Sequence, residues 1–162
     1  MRNIYAIVGL ISLFLLNACS SNTPEPTLLK LTLNAGEKIN PSQLSSANPV
    51  VLRLYQLSAI EDFKSAQVLD LYQEDAKLLA SSLLYKQSIG SVLPSEQRSL
   101  QLSIQPGTKY LAVFSQFSNY PQAKSKAWLD ITNIDELASI TLSIESLSVN
   151  MQPVLVESFW SW

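Results

Sequence analysis

The sequence predicts a mainly β chain folded as a two-sheet antiparallel β-sandwich with a short helical insertion. Three observations carry that prediction: from Leu28 onward apolar and polar residues mostly alternate, one stretch over about 59–82 changes to helical spacing, and 162 residues give one-domain length. Hydrophobic residues make up 47% and charged residues only 15%, against roughly 25% charged in an ordinary soluble domain, which excludes a disordered chain. Eleven Lys and Arg against thirteen Asp and Glu leave a net charge of -2, so nothing points to nucleic acid as a partner. Histidine is absent and cysteine occurs once. The usual zinc sites, Ser-His and Cys-His nucleophile pairs and an imidazole general base therefore cannot be built, and no cofactor site is expected.

The beginning of the chain reads as an address. Arg2 opens it, and residues 4–16 carry no charge. That run is shorter than the roughly twenty residues a membrane-spanning helix needs, so residues 1–18 read as an export signal that is removed. Leu16-Asn17-Ala18-Cys19 resembles the bacterial lipoprotein box, with Asn17 bulkier and more polar than the usual residue. The resemblance implies diacylglycerol on the Cys19 thiol and a third acyl chain on the freed amine. At ~0.8 kcal/mol per buried CH2, two chains already make a stable anchor. Ser20 follows Cys19, where an Asp would signal inner-membrane retention, so the implied location is the periplasmic face of the outer membrane, with acyl chains in its inner leaflet. Residues 19–27 form the lipidated Cys and a flexible tether, whose SSNTPEPT segment reaches at most ~26 Å at ~3.3 Å per residue. Residues 28–162 form the β-sandwich domain.

The elements follow in order. Leu29, Leu31, Leu33 and Ala35 alternate with Lys30, Thr32 and Asn34, a half-buried strand. Residues 50–57 (VVLRLYQL) and 110–117 (YLAVFSQF) are apolar at both parities, as central strands covered on two sides should be. Leu100, Leu102 and Ile104, and likewise Ile140, Leu142 and Ile144, restore the alternation. QPGT at 105–108 is a turn, since Pro presets φ and Gly accepts positive φ, and it predicts an antiparallel pair of 98–104 with 110–117. In the insertion, Leu69, Tyr72, Ala76, Leu79 and Leu83 recur at spacings of three and four. Ser58 with Glu61 fits a capping box, and Asp62 adds negative charge near the helix start. One helix over residues 59–84 would be ~39 Å long, too long for this body, so two short helices are expected. Ile60, Phe63 and Ala66 face inward from the first, and Leu69, Tyr72, Ala76 and Leu79 from the second.

Single residues are read more plainly. Arg53 and Tyr55 share one parity of a central strand, and Arg53 is expected to cap a sheet edge or pair with a carboxylate. The acidic pairs Glu61-Asp62, Glu74-Asp75 and Asp135-Glu136 read as solvated faces rather than catalytic carboxylates. Trp128 reads as core or a sheet-edge anchor. Lys124 and Lys126 read as solvated loop residues that could meet lipid head groups.

Several segments, in this order and behind a lipoprotein box, resemble the TssJ (VasD, Lip) family of type VI secretion outer-membrane lipoproteins. They are PVVLRLYQLSAIEDFKSAQV at 49–68, residues 75–84, VLPSEQRSLQLSI at 92–104, PGTKYLAVFSQF at 106–117, and Trp128. Ser95 stands where the family commonly has the Gly of a Pro-Gly-Glu turn, and Ser118-Asn119 where Arg-Asp is frequent. The resemblance implies a transthyretin-like β-sandwich with added helices and no enzymatic activity. It implies binding to the periplasmic C-terminal region of TssM, through it a link to TssL, and a role as the outer-membrane end of a trans-envelope scaffold. It also implies that the loop after the first strand, residues 36–48 (GEKINPSQLSSAN), meets the partner. The candidate contact residues there are Lys38, Ile39, Asn40, Pro41, Gln43 and Leu44, with Ile39 and Leu44 as apolar points in a polar loop. The competing expectation for that loop is a connector with its two apolar residues tucked onto the sandwich. Three other functional readings remain at this stage: a periplasmic lipoprotein carrier holding a small hydrophobic ligand, a small outer-membrane barrel, and, last, an enzyme.

Overall fold

The computed structural model describes residues 26–157. The signal segment, Cys19, most of the tether and the aromatic end of the chain lie outside the described residues. Eight strands are present: β1 (Thr27–Ala35), β2 (Val50–Leu57), β3 (Leu83–Val92), β4 (Gln97–Ile104), β5 (Tyr110–Gln116), β6 (Lys126–Asp130), β7 (Leu137–Glu145) and β8 (Ser148–Leu155). Two helices, α1 (Glu61–Ser65) and α2 (Val68–Leu78), lie between β2 and β3.

The strands form two four-stranded sheets, ordered β4-β1-β7-β8 and β3-β2-β5-β6, and not one closed cylinder. The first sheet is mixed, because β1 pairs antiparallel with β4 but parallel with β7. Alternation cannot report this, since strand direction leaves the in-and-out pattern unchanged. Leu29, Leu31, Leu33, Leu102, Ile140, Leu142 and Ile144 from one sheet meet Val50, Leu52, Leu54, Leu111 and Val113 from the other in a single core. The interior is thus filled by aliphatic side chains, each worth roughly 1.5–3 kcal/mol on burial.

β2 and β5 are apolar at both parities because each faces two cores. Their other parity, with Tyr55, Leu57, Ala112 and Phe114, packs under the helices against Ile60, Phe63, Ala66, Leu71 and Leu79. Tyr55 and Phe63 meet at a ring-centroid distance of 5.7 Å, tilted by 53°, a favourable aromatic geometry.

The turn at 105–108 forms, with Gly107 at φ 84 and the Thr108 N–H donating to the Gln105 carbonyl at 3.2 Å. It does not join a hairpin, however. β4 pairs with β1 while β5 pairs with β2 and β6, so the link crosses from one sheet to the other. Buried Gln56 fixes that crossing: its Nε2 donates to the Ser103 carbonyl, and its Oε1 accepts from the Gln105 N–H and the Thr108 hydroxyl.

The helices depart from expectation in three ways. The capping box is not formed. The N-cap of α1 is Ile60, whose N–H donates to Glu61 Oε2, while the Ser58 hydroxyl donates to the Ser82 carbonyl. In α2 the inward residues are Leu71 and Asp75, followed by Leu79, whereas Leu69, Tyr72 and Ala76 are exposed and Leu83 already belongs to β3.

The physical reason is Asp75. Its Oδ2 accepts from the Tyr55 hydroxyl at 2.7 Å and from Arg53 Nη1 at 3.1 Å, and Lys86 Nζ donates to Oδ1 at 3.0 Å. The Ala76 N–H donates to Oδ1 at 2.7 Å, beside a kink at Glu74 (φ -134, ψ 31). Arg53 also donates to the Leu71 and Tyr72 carbonyls. A buried, paired carboxylate therefore sets the rotation of the helix. Burial alone would raise the Asp75 pKa, but the bonds from Tyr55 and Lys86 outweigh it and hold the carboxyl below its ordinary value. Burial, followed by the bond to Asp75, pushes the Tyr55 hydroxyl far up.

Lys126 is a further correction. It lies on β6, and its Nζ donates to the Phe63, Lys64 and Ala66 carbonyls at 3.1, 2.8 and 2.7 Å, closing the end of α1. Burial lowers its pKa. Trp128 sits half-exposed on β6, an edge strand, with Lys64 Nζ 5.3 Å from its ring centroid.

Candidate functional site

The chain reverses after β1 through the loop at 36–48, and backbone chemistry holds that loop at both ends. The Gly36 N–H donates to the Ile144 carbonyl at 2.9 Å, and the Gly36 carbonyl accepts from the Ser95 N–H at 3.0 Å. A Cβ at Gly36 would meet the end of the exposed Glu145 side chain, which would have to swing aside.

Ile39 is fully buried and belongs to the inter-sheet core. Asn40, also buried, adopts φ 48, a left-handed conformation that Asn tolerates better than most residues. Its N–H donates to the Ser146 carbonyl at 2.7 Å and its Nδ2 to the Pro49 carbonyl at 2.7 Å. Its Oδ1 accepts from the Ser118 N–H at 2.8 Å, and its own carbonyl accepts from Asn48 Nδ2 at 2.8 Å. One side chain thus ties the loop to the end of β5 and to the start of β2. Ile39 and Asn40 are consequently not on the surface; they hold the loop.

The tip is ordered by hydroxyls. The Ser42 N–H donates to the Ser45 carbonyl, and Ser42 Oγ accepts from the Ser45 N–H at 3.2 Å. Ser45 Oγ donates to the Ala47 carbonyl at 2.7 Å. On this frame Lys38 and Gln43 are exposed, Pro41 is half-buried, and Leu44 is 99% exposed. Pro41, Ser42 and Gln43 form one wall of an open groove, with Ser118, Asn119 and Gln122 opposite. The sequence did not single out Asn40 as a lock or Ser118 as its partner, since these contacts join positions 78 residues apart. The one local signal was an Asn before a Pro in a loop.

The position of the loop matters as much as its surface. β1 runs from the tether at Thr27 to Ala35, so at ~3.3 Å per residue the loop stands roughly 26 Å from the start of the strand. The start of β1, where the tether joins, and the loop lie at opposite ends of that strand.

The Asp75 carboxylate is buried and saturated by donors, and among the described residues no group of three or more His, Cys, Asp or Glu is placed to hold a metal. The class so defined is a two-sheet β-sandwich that presents an ordered loop after its first strand.

The comparisons narrow the class. A family profile described as type VI secretion lipoprotein, VasD, EvfM, TssJ, VC_A0113 matches residues 27–150, and the chain belongs to that T6SS-SciN family. The family is one of type VI secretion lipoproteins, and the chain is not an enzyme. The crystal structure of the T6SS lipoprotein TssJ1 from Pseudomonas aeruginosa superposes with a TM-score of 0.73 at 20% identity, covering 82% of this chain and 99% of that one. A chain of a type VI membrane complex gives 0.69 at 20% identity, covering 80% and 100%. A chain of the structure described as the T6SS protein TssM C-terminal domain (869–1107) from EAEC gives 0.64 at 20% identity, covering 78% and 98%. At such identities the likeness establishes the fold. No curated protein matches the chain significantly.

Proposed function

We propose that this lipoprotein is acylated at Cys19, sits at the periplasmic face of the outer membrane, and binds the periplasmic C-terminal region of TssM through the loop at 36–48. Through TssM it would be linked to TssL and hold the outer-membrane end of the secretion scaffold. Lys38, Pro41, Gln43 and Leu44 make the contact, while Ile39 and Asn40 support it from beneath. The observation that carries the reading is the pairing of a fully exposed Leu44 with a loop frame fixed by buried Asn40. An apolar side chain held in water on an ordered frame loses little entropy when a partner covers it. The family membership and the fold shared with a chain of a type VI membrane complex support the same reading.

The test is calorimetric titration of the Cys19→Ser chain, without its signal segment, against the periplasmic C-terminal segment of TssM from the same organism. Saturable binding is expected, weakened about tenfold or more by Leu44→Ser. Binding indifferent to Leu44→Ser and Gln43→Ala would move the contact elsewhere. No binding by a folded chain would count against the TssM reading. The carrier reading gains nothing from the fold, because the space between the sheets is taken up by buried aliphatic side chains such as Leu31, Leu54 and Leu142.

A further inference from the structure

We propose that the hollow between the start of α2 and the end of β5 takes an apolar side chain, aliphatic or aromatic, of the same partner protein that meets the loop at 36–48. The inference rests on the reading that this loop contacts the partner, and deepens it from one loop to a two-point surface.

The hollow is made by the rotation of α2. Because buried Asp75 faces the sheet, Leu69 and Tyr72 are turned outward, 46% and 54% exposed. They border an open hollow of about 330 Å3, with buried Phe114 and Phe117 beneath and Tyr120, 40% exposed, along another side. None of the described residues lining it is charged, so it favours an uncharged occupant. Arg53 lies 5.9 Å from the Tyr72 ring centroid, but it is held by Asp75 Oδ2 at 3.1 Å. With the Gln116 amide oriented to accept, that side-chain oxygen also takes Arg53 Nε and Nη2 at 3.0 and 2.9 Å. The acids Asp70 and Glu74 of α2 line a separate hollow beside Lys77. Three large side chains kept in water round one uncharged hollow mark a contact surface.

The occupant follows from the position of the hollow and the size of the loop. Ser118 borders both this hollow and the groove of Pro41, Ser42 and Gln43, and its N–H is bonded to Asn40 in the loop at 2.8 Å. The segment that separates the two is ordered: Tyr120–Gln122 is a single 3-10 turn containing Pro121, and Asn119 Nδ2 donates to Gln122 Oε1 at 2.8 Å. A partner laid across this ridge reaches both sides. The loop alone is too small for it, since stable interfaces take about 20–30 residues a side. The loop has thirteen, among which Leu44 is the one large apolar side chain left exposed. The hollow is at the small end of the range of about 300–1,000 Å3 that whole small-molecule ligands occupy, and its open form suits an inserted side chain, the usual anchor of a protein interface.

The experiment repeats the calorimetric titration of the Cys19→Ser chain with the periplasmic C-terminal segment of TssM, now adding Leu69→Ser or Tyr72→Ser, two exposed positions outside the loop, with Leu44→Ser as the comparison. Each of the two is expected to weaken binding about fivefold or more, at an unchanged urea midpoint for the free chain. Replacing Cys19 leaves the chain without a thiol, so Leu69→Cys accepts a polarity-sensitive dye. Its emission is expected to move to the blue when TssM is added, a readout independent of the stability of the serine variants. Unchanged affinity in both serine variants and a dye that does not shift, while Leu44→Ser still weakens binding, overturn the hollow and leave the loop reading standing. Loss with Leu69→Ser but not with Leu44→Ser upholds the hollow and overturns the role of the loop. No binding by the folded Cys19→Ser chain overturns both. A dye shift that grows with the concentration of the chain alone makes a second copy the occupant, and this also overturns the proposal.

Discussion

Removing the carboxylate of Asp75 leaves Arg53 and Lys86 facing each other with no anion between them, and a buried Tyr55 hydroxyl without an acceptor. Asp75→Ala is therefore expected to cost about 2–3 kcal/mol in urea unfolding, part of the effect being screened because both cations reach solvent. The same residue sets an acid limit. Its folded pKa is depressed, so its contribution is fully present above the ordinary carboxylate value near 3.8 and fades as pH falls through the lower folded value. Melting temperature should drop steeply below about pH 4, and Asp75→Asn should flatten that drop. If the profiles of wild type and Asp75→Asn run parallel, the network is not what senses acid. Ser95 gives the opposite kind of test. It holds φ 63, which costs a residue with a Cβ about 1 kcal/mol or more. Ser95→Gly should raise stability by about 0.5–1 kcal/mol in the same unfolding assay, the extra freedom of unfolded glycine offsetting the rest.

At the scale of elements, the loop at 36–48 should behave as a folded unit that Asn40 controls. Asn40→Gly keeps the left-handed backbone available but deletes the bonds to Pro49 and Ser118; Asn40→Ala deletes them and adds strain. Hydrogen exchange at the Asn48 and Ser42 amides, both bonded within the loop, should quicken in each variant, with Asn40→Ala also losing about 1 kcal/mol more stability than Asn40→Gly. The elements also show what the sequence made legible. Strands with one wet face announced themselves by alternation, and β2 and β5 by being apolar at both parities, because burial acts directly on each position. Strand partnering was not legible in the same way. The turn at Pro106-Gly107 is local chemistry and was readable, whereas the crossing between sheets depends on Gln56, distant in sequence. The rotation of α2 is hidden for a similar reason: in sequence Asp75 reads as a solvated acid, because its three side-chain partners lie on β2 and β3. β3 itself is an edge strand with few buried residues, so its periodic signal is faint. Of the loop, its place after the first strand was readable; that Ile39 is buried and Leu44 exposed was not, nor was its frame.

For the whole molecule, one inter-sheet core joins residues from β1 to β8 and a second joins the helices to the reverse of β2 and β5. Because β2 and β5 take part in both, calorimetry should record a single transition, with an enthalpy of about 90 kcal/mol near 60 °C at ~0.7 kcal/mol per residue over the described 132 residues. Two resolved transitions would mean that the helical insertion melts apart from the sandwich. The placement of β1 carries a mechanical consequence. Its first residue follows the tether and its last leads into the loop, so a partner pulling on the loop against an acylated Cys19 would load this strand along its own axis. β1 lies between β4 and β7, paired with β4 from Thr27 to Asn34 and with β7 from Leu31 to Ala35. Tension in that direction would act parallel to both ladders and shear them, instead of peeling them open bond by bond.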